Sequence, residues 1–176
     1  MKVINVHERE LPTSPARVGA LLDSLSSPQD ALWPAHSWPP MRFDRPLSVG
    51  ARGGHGPVGY IVEAYAPGES IRFRFTAPKG FDGCHWFDVR ATGPDGCVLR
   101  HTIEMTAHGR ALLSWPLAIR FLHDALLEDA LATAQASLGL PPLVRKWSAW
   151  VKVLRWLVAG GKSSAQVTPA ISVHAG

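Results

Sequence analysis

Residues 2 to 11, KVINVHEREL, alternate between apolar and polar positions well enough to predict a strand. SPARVGALLDSL and SPQDAL follow, each opening with a serine suited to an N-cap and a proline suited to the first helical position. They predict two short helices at 14 to 25 and 27 to 32. A proline-rich stretch, WPAHSWPPM, comes next. From Arg42 the period shortens to two, through MRFDRPLSVG, PVGYIVEAY, SIRFRFTA and the hairpin GCHWFDVRATGPDGCVLRHTIEM, which together supply five or six further strands. Apolar residues from Leu112 to Leu138 then recur at helical spacing, and Gly139, Pro141 and Pro142 close that long helix. Strands followed by one long helix predict an α+β domain.

Alternation also assigns the faces. A two-residue turn at Pro67 and Gly68 sets Ala64 opposite Ile71, Val62 opposite Phe73 and Tyr60 opposite Phe75, all pointing one way, with Glu63 meeting Arg72 on the other side. In the later hairpin, Pro94, Asp95 and Gly96 suit a type I turn with a glycine bulge, placing Gly93 opposite Cys97 and Asp88 opposite Thr102. His85, Phe87, Val89, Leu99, His101, Ile103 and Met105 then share the inner face, and Cys84, Trp86, Asp88 and Arg90 the outer one. Cys84 falls near Thr106, so the two cysteines lie at opposite ends of the hairpin, beyond the roughly 7 Å that a disulfide spans, and are expected as free thiols.

Two inward histidines on an apolar face need an explanation. Each can be a core residue bonded to a carbonyl or a water, a group that orients a ligand, or an acid or base. A zinc site is disfavoured, because His85 and His101 are diagonal in the expected register and no third ligand has a signature spacing. Residues 53 to 57, GGHGP, read either as a turn with His55 exposed or as a portal loop formed by Gly54, His55 and Gly56.

Projected at about 100° per residue, Trp115, Ile119, Leu122, Leu126 and Ala130 centre one face of the long helix, and Arg120, Asp124 and Gln135 the opposite one. Asp129 falls inside the apolar sector, where it must find a partner, take up a proton or face a wet cavity. Residues 143 to 159, LVRKWSAWVKVLRWLVA, form a second amphipathic helix. Leu143, Trp147, Trp150, Val151, Leu154, Leu157 and Val158 line one side, and Arg145, Ser148, Lys152 and Arg155 the other. Such a helix suits an anionic membrane surface, and equally suits packing on its own domain or on a second subunit in a homodimer. GGKSSAQVTPAISVHAG reads as a flexible tail.

Charge changes this picture in one respect. All 14 acidic residues lie at or before Asp129, whereas Arg145, Lys146, Lys152, Arg155 and Lys162 are unopposed, so the stretch from Leu140 carries +5 and the remaining 13 basic and 14 acidic residues sum to −1. The pI of 9.4 therefore belongs to the tail, and a nucleic-acid-binding core is not indicated. Tryptophans 33, 38, 86 and 115 are not interleaved with a basic stripe and read as packing residues. No signal-peptide order and no run of about 18 uncharged apolar residues is present, which predicts a cytoplasmic chain, peripheral to a membrane if the basic helix docks there. At 176 residues the chain suits one domain over 1 to 139, the helix over 140 to 160 and the tail over 161 to 176. Nucleophile-elbow, phosphate-loop and CxxC motifs are missing, and no dinucleotide-type GxGxxG is read after a strand.

The order strand, two short helices, antiparallel strands, long helix resembles the helix-grip fold of the SRPBCC superfamily, which includes START domains, birch-pollen-allergen-like proteins and polyketide cyclases. GGHGPVGY at 53 to 60, PKGFDGCHWF at 78 to 87 and HDALLEDAL at 123 to 131 carry the resemblance, which covers residues 1 to 139. It implies a curved antiparallel sheet of about six or seven strands wrapped around the long helix, with a cavity between them. The expected ligand is a hydrophobic small molecule or lipid, with no metal or other cofactor. The residues placed to contact it are Tyr60, Val62, Phe73, Phe75, His85, Phe87, His101, Ile103, Met105, Leu122, Leu126 and Asp129. A cyclase or dehydratase using His85, His101 or Asp129 as acid and base is the enzymatic alternative. A regulatory protein acting through its basic helix is the third.

Overall fold

The computed structural model describes residues 1–162 and 165–171. Strand β1 (Lys2–Leu11) leads into helix α1 (Pro15–Asp23), and six strands follow: β2 (Arg42–Phe43), β3 (Arg52–His55), β4 (Val58–Ala66), β5 (Ser70–Ala77), β6 (Phe81–Gly93) and β7 (Gly96–Ala107). They form one antiparallel sheet in the order β1-β7-β6-β5-β4-β3-β2. A helical rod follows, made of α2 (Ala111–Ser114), a π-helical turn (Trp115–Ile119) and α3 (Arg120–Ser137). The sheet curves around this rod, with Tyr60, Phe73, Phe87 and Leu99 packing against Leu126, Leu127 and Leu131. This is the α+β helix-grip fold expected from the sequence.

The π turn coincides with Pro116, which has no N–H to give and whose ring crowds the preceding turn, so the helix widens locally instead of breaking. At the other end Gly139 adopts φ of 78°. The Gly139 amide donates to the Ala136 carbonyl at 3.0 Å and the Leu140 amide to the Gln135 carbonyl at 2.9 Å, a Schellman closure.

Several local expectations are corrected. Residues 27 to 32 form turns and not a helix, because the Asp30 carboxylate accepts the amides of Ser26, Leu32 and Trp33 at 2.8 to 3.0 Å and Ser24 Oγ accepts that of Ala31. These side-chain acceptors offer the backbone a better local option than a six-residue helix. Of residues 53 to 57, Gly53 to His55 belong to β3 and only Gly56 and Pro57 form the turn into β4, and His55 is half-buried instead of exposed. In β4 a bulge between Val62 and Ala64 turns Ala64 outward and brings Tyr65 opposite Ile71, while Val62–Phe73 and Tyr60–Phe75 pair as expected. The β6–β7 register differs by two residues: Asp88 faces Arg100 and Cys84 faces Glu104, with a bulge near Thr92. A shift of two preserves each side chain's face, so the inward set is unchanged. Both cysteines are free and buried.

Asp124 and Gln135 do not look into open solvent. The inner face of β1 carries Asn5, His7 and Arg9, and these meet Asp124, Glu128 and Gln135 of α3. The C-terminal helix α4 (Ala149–Val158) is shorter than 143 to 159, capped where Ser148 Oγ accepts the Val151 amide. Residues 141 to 148 carry no regular secondary structure, and Trp147, Val151 and Leu154 are buried while Leu143, Trp150, Leu157 and Val158 of the expected apolar stripe are exposed. Beyond α4, Gln166 returns to the domain, donating to Asp129 Oδ1 at 2.7 Å and accepting the Trp147 amide. Residues 163, 164 and 172 to 176 of the expected flexible tail lie outside the described residues. Among the described residues no helix is long and apolar enough to cross a membrane.

Candidate functional site

Buried apolar residues fall into two clusters, one around Phe73, Phe87 and Leu131 and a smaller one around Phe81, Ile103 and Trp115. Residues of both line a partly open cavity of about 380 Å³. The sheet contributes Phe75, His85, Phe87, His101 and Ile103, and the helical rod contributes Trp115, Ile119, Leu122, His123 and Leu126. Trp33, Trp38, Gly56 and Pro57 come from the connecting segments, His55 from the end of β3, and Arg155, Val158 and Ala159 from α4 and its end. The wall is therefore largely aromatic and aliphatic, interrupted by imidazoles.

Those imidazoles form a row. His85 Nδ1 and His101 Nε2 are 3.2 Å apart, and the His101 and His123 rings are 5.1 Å apart between centroids. Phe73 and Phe75 stack on His85 at 4.9 and 4.8 Å, and Phe87 meets the His101 ring edge-on. Burial holds His85 and His101 well below the usual imidazole range. Burial also lowers His123 despite the nearby Asp124 carboxylate, and pushes His55 down to about 3. All four are neutral at pH 7.

Neutrality fixes what the row can offer. A neutral imidazole has one N–H donor and one acceptor nitrogen, and the His85–His101 bond consumes one of each. His85 Nε2 and His101 Nδ1 make no hydrogen bond within the protein, nor do the ring nitrogens of His123, whose Nδ1 lies 3.7 Å from Asp124 Oδ1. Whichever tautomer the pair adopts, it presents one donor and one acceptor, and exchanging tautomers swaps them. A buried polar atom left unmatched costs about 1–3 kcal/mol, so these atoms are poised for partners from outside the chain.

His7 stands behind His123, with ring centroids 5.7 Å apart. Its nitrogens lie 3.0 Å from Asp124 Oδ1 and 3.1 Å from Glu128 Oε1. Burial opposes charge here, but the two carboxylates outweigh it and raise the His7 pKa to about 9. Burial would raise the Asp124 carboxyl, but His123, His7 and Asn5 hold it below the usual range. Glu128 is lowered by His7 and also pairs with Arg9 at 2.8 Å and Arg145 at 3.1 Å. His7, His123 and Asp124 each offer a ligand atom within 4.8 Å of the others, the spacing of a metal site. The fit is poor, because a cation would have to displace a proton that two carboxylates hold on His7.

Of the residues expected at the site, Phe75, His85, Phe87, His101, Ile103, Leu122, Leu126, His55 and Gly56 come together on the cavity wall. Tyr60, Val62, Phe73 and Met105 face inward but sit in the packing behind it: Tyr60 Oη lies 3.1 Å from His55 Nδ1, and Phe73 underlies His85. Gly54 lies within β3, set back from the wall. Asp129 is displaced from the cavity altogether. Its Oδ2 accepts the indole N–H groups of Trp38 at 2.8 Å and Trp147 at 2.9 Å, so it fastens the C-terminal segment. The sequence reading omitted His123, Trp33, Trp38 and Arg155 as wall residues. The signal for His123 is readable in the sequence, since it lies four residues after Ile119 on the inward side of the long helix.

No family model and no curated protein matches the chain. Solved structures do. Norcoclaurine synthase from Thalictrum flavum, in complex with dopamine and hydroxybenzaldehyde, superposes with a TM-score of 0.57 at 16% identity, covering 77% of this chain and 86% of that one. CalU16 from Micromonospora echinospora gives 0.57 at 12% identity, covering 90% and 87%. A conserved protein of unknown function from Enterococcus faecalis, EF2215, gives 0.57 at 13% identity, covering 92% and 88%. At such identities the likeness is one of fold, and the chain has the helix-grip fold.

Proposed function

We propose that the protein binds a small aromatic molecule bearing a hydroxyl or carbonyl group, held in the cavity by its apolar walls and oriented by His85, His101 and His123. The carrying observation is the set of neutral ring nitrogens that make no hydrogen bond within the protein in an otherwise apolar pocket. A volume of about 380 Å³ suits a drug-sized ligand and is too small for a two-chain lipid. The aromatic ligands of norcoclaurine synthase occupy the same fold.

The test compares 2-naphthol with 2-methylnaphthalene, which match in shape and differ in the hydroxyl. The account expects naphthol to bind about fivefold more tightly, the contribution of one net hydrogen bond. Equal affinities, or no binding of either, would refute it.

An enzymatic role of cyclase or dehydratase type is the second reading. It is favoured by the clustering of His85, His101 and His123 on one wall, which sets neutral imidazoles able to give or take a proton against the cavity. Asp129 has no part in it. Turnover of an aromatic polyketide that is lost in His101→Phe would establish this reading, and tight binding without turnover would dismiss it.

A further inference from the structure

Helix α4 is apolar on both of its sides. Val151 and Leu154 seal it to the domain, and Arg155 reaches inward, its guanidinium 4.1 Å from the Trp38 and Trp147 ring centroids with a hydrogen bond to the Ser37 carbonyl. The outward side carries Trp150, Val153, Trp156 and Leu157, all exposed, with Leu157 at 58%. Trp150 Nε1 donates to the Leu117 carbonyl at 3.0 Å, which joins this side to exposed Leu113 and Leu117 on the neighbouring helical rod. The patch also runs into the cavity: Val158 is 67% exposed and lines the cavity wall as well.

We infer that this face docks the protein on an anionic lipid bilayer, with the cavity opening beside the membrane surface. Charge selects that occupant. Exposed Lys146 and Lys152 flank the tryptophans, Arg110 and Arg120 flank Leu113 and Leu117, and no acidic residue occurs from Arg110 to His123 or after Asp129. Indole rings beside basic side chains are the composition of a helix lying in a bilayer interface, where aromatic faces meet acyl chains and ammonium groups meet headgroups. A second copy fits worse, since a two-fold contact across this face would oppose Lys152 to itself with no carboxylate nearby.

Docking stands apart from the ligand reading, and each can fail alone. Full-length protein is to be sedimented with phosphatidylcholine vesicles, with and without phosphatidylglycerol, at low and high salt. Binding is expected on the anionic vesicles only, weakening with salt. Lys152→Glu should weaken it about fivefold or more, and Val153→Ser with Trp156→Ser roughly tenfold. These side chains are exposed, so the variants should keep the wild-type melting temperature and 2-naphthol affinity, which separates loss of docking from loss of fold. Three results would overturn the inference: no partition onto anionic vesicles, partition indifferent to these substitutions, or a dimer that sedimentation equilibrium shows Val153→Ser with Trp156→Ser to dissociate, which would assign the face to a second copy.

Discussion

His7 and His123 are ring neighbours, yet one is held as a cation and the other neutral. Both are largely buried, with side chains 12% exposed. The difference lies in their partners. His7 has a carboxylate oxygen near 3 Å on each nitrogen, whereas the Asp124 oxygen nearest His123 Nδ1 is 3.7 Å away and already engaged by His7 and Asn5. Burial penalises charge in both, and only His7 has enough opposite charge to overcome it. The lesson extends along the row: His85 and His101, with aromatic rings as neighbours, follow His123. The strand β1 edge is thus an ionic clamp on α3, and the cavity beside it is an uncharged recognition surface.

That contrast is most exposed to failure at acidic pH. Groups whose folded pKa is lowered favour the fold while neutral, so His55, His85, His101 and His123 contribute stability above the unfolded value of about 6.5, and that contribution is lost as pH falls below it. Each can remove up to about 1.4 kcal/mol per pH unit. Urea unfolding between pH 6.5 and 5, above the carboxylate range, should therefore show a loss of several kcal/mol. A flat profile would mean that the cavity histidines are already charged.

His7 should behave oppositely. Its raised pKa stabilises the fold fully below about 6.5, and the contribution fades as pH rises through about 9. Glu128→Ala removes the carboxylate that His7, Arg9 and Arg145 share and should cost about 3 kcal/mol at pH 6, because it leaves the buried Arg9 guanidinium without its counter-charge and His7 with Asp124 alone. The same variant should lessen the alkaline decline in urea unfolding, since Asp124 alone is left to hold the proton on His7. Retention of the wild-type decline would detach it from His7.

The difference between clamp and cavity shows in the sequence only in part. Strand alternation named the inward set of β6 and β7 correctly even though the register was off by two, because a shift of two returns every side chain to its own face. The β4 bulge has no such protection, and Ala64 went to the wrong side. Asn5, His7 and Arg9 alternate in β1 like exposed polar residues, and nothing local reveals that Asp124 and Glu128, more than a hundred positions away, will cover them. Asp129 was marked as anomalous from helical position alone, but its partners Trp38, Trp147 and Gln166 are assembled by the fold.

A smaller effect is expected from His101→Phe. Removing this ring leaves His85 Nδ1 unmatched while adding apolar contact, so stability should change by no more than about 1 kcal/mol. The preference for 2-naphthol over 2-methylnaphthalene should fall about fivefold toward parity. If stability collapses and the preference survives, His101 belongs to the core and not to recognition.

The most direct measurement is nitrogen-detected NMR of the histidine rings at pH 7, with and without 2-naphthol. The account predicts neutral tautomer shifts for His85, His101 and His123 that move on addition of naphthol and stay still with 2-methylnaphthalene, beside a doubly protonated His7 that responds to neither. Protonated cavity histidines, or neutral ones indifferent to naphthol, would contradict it.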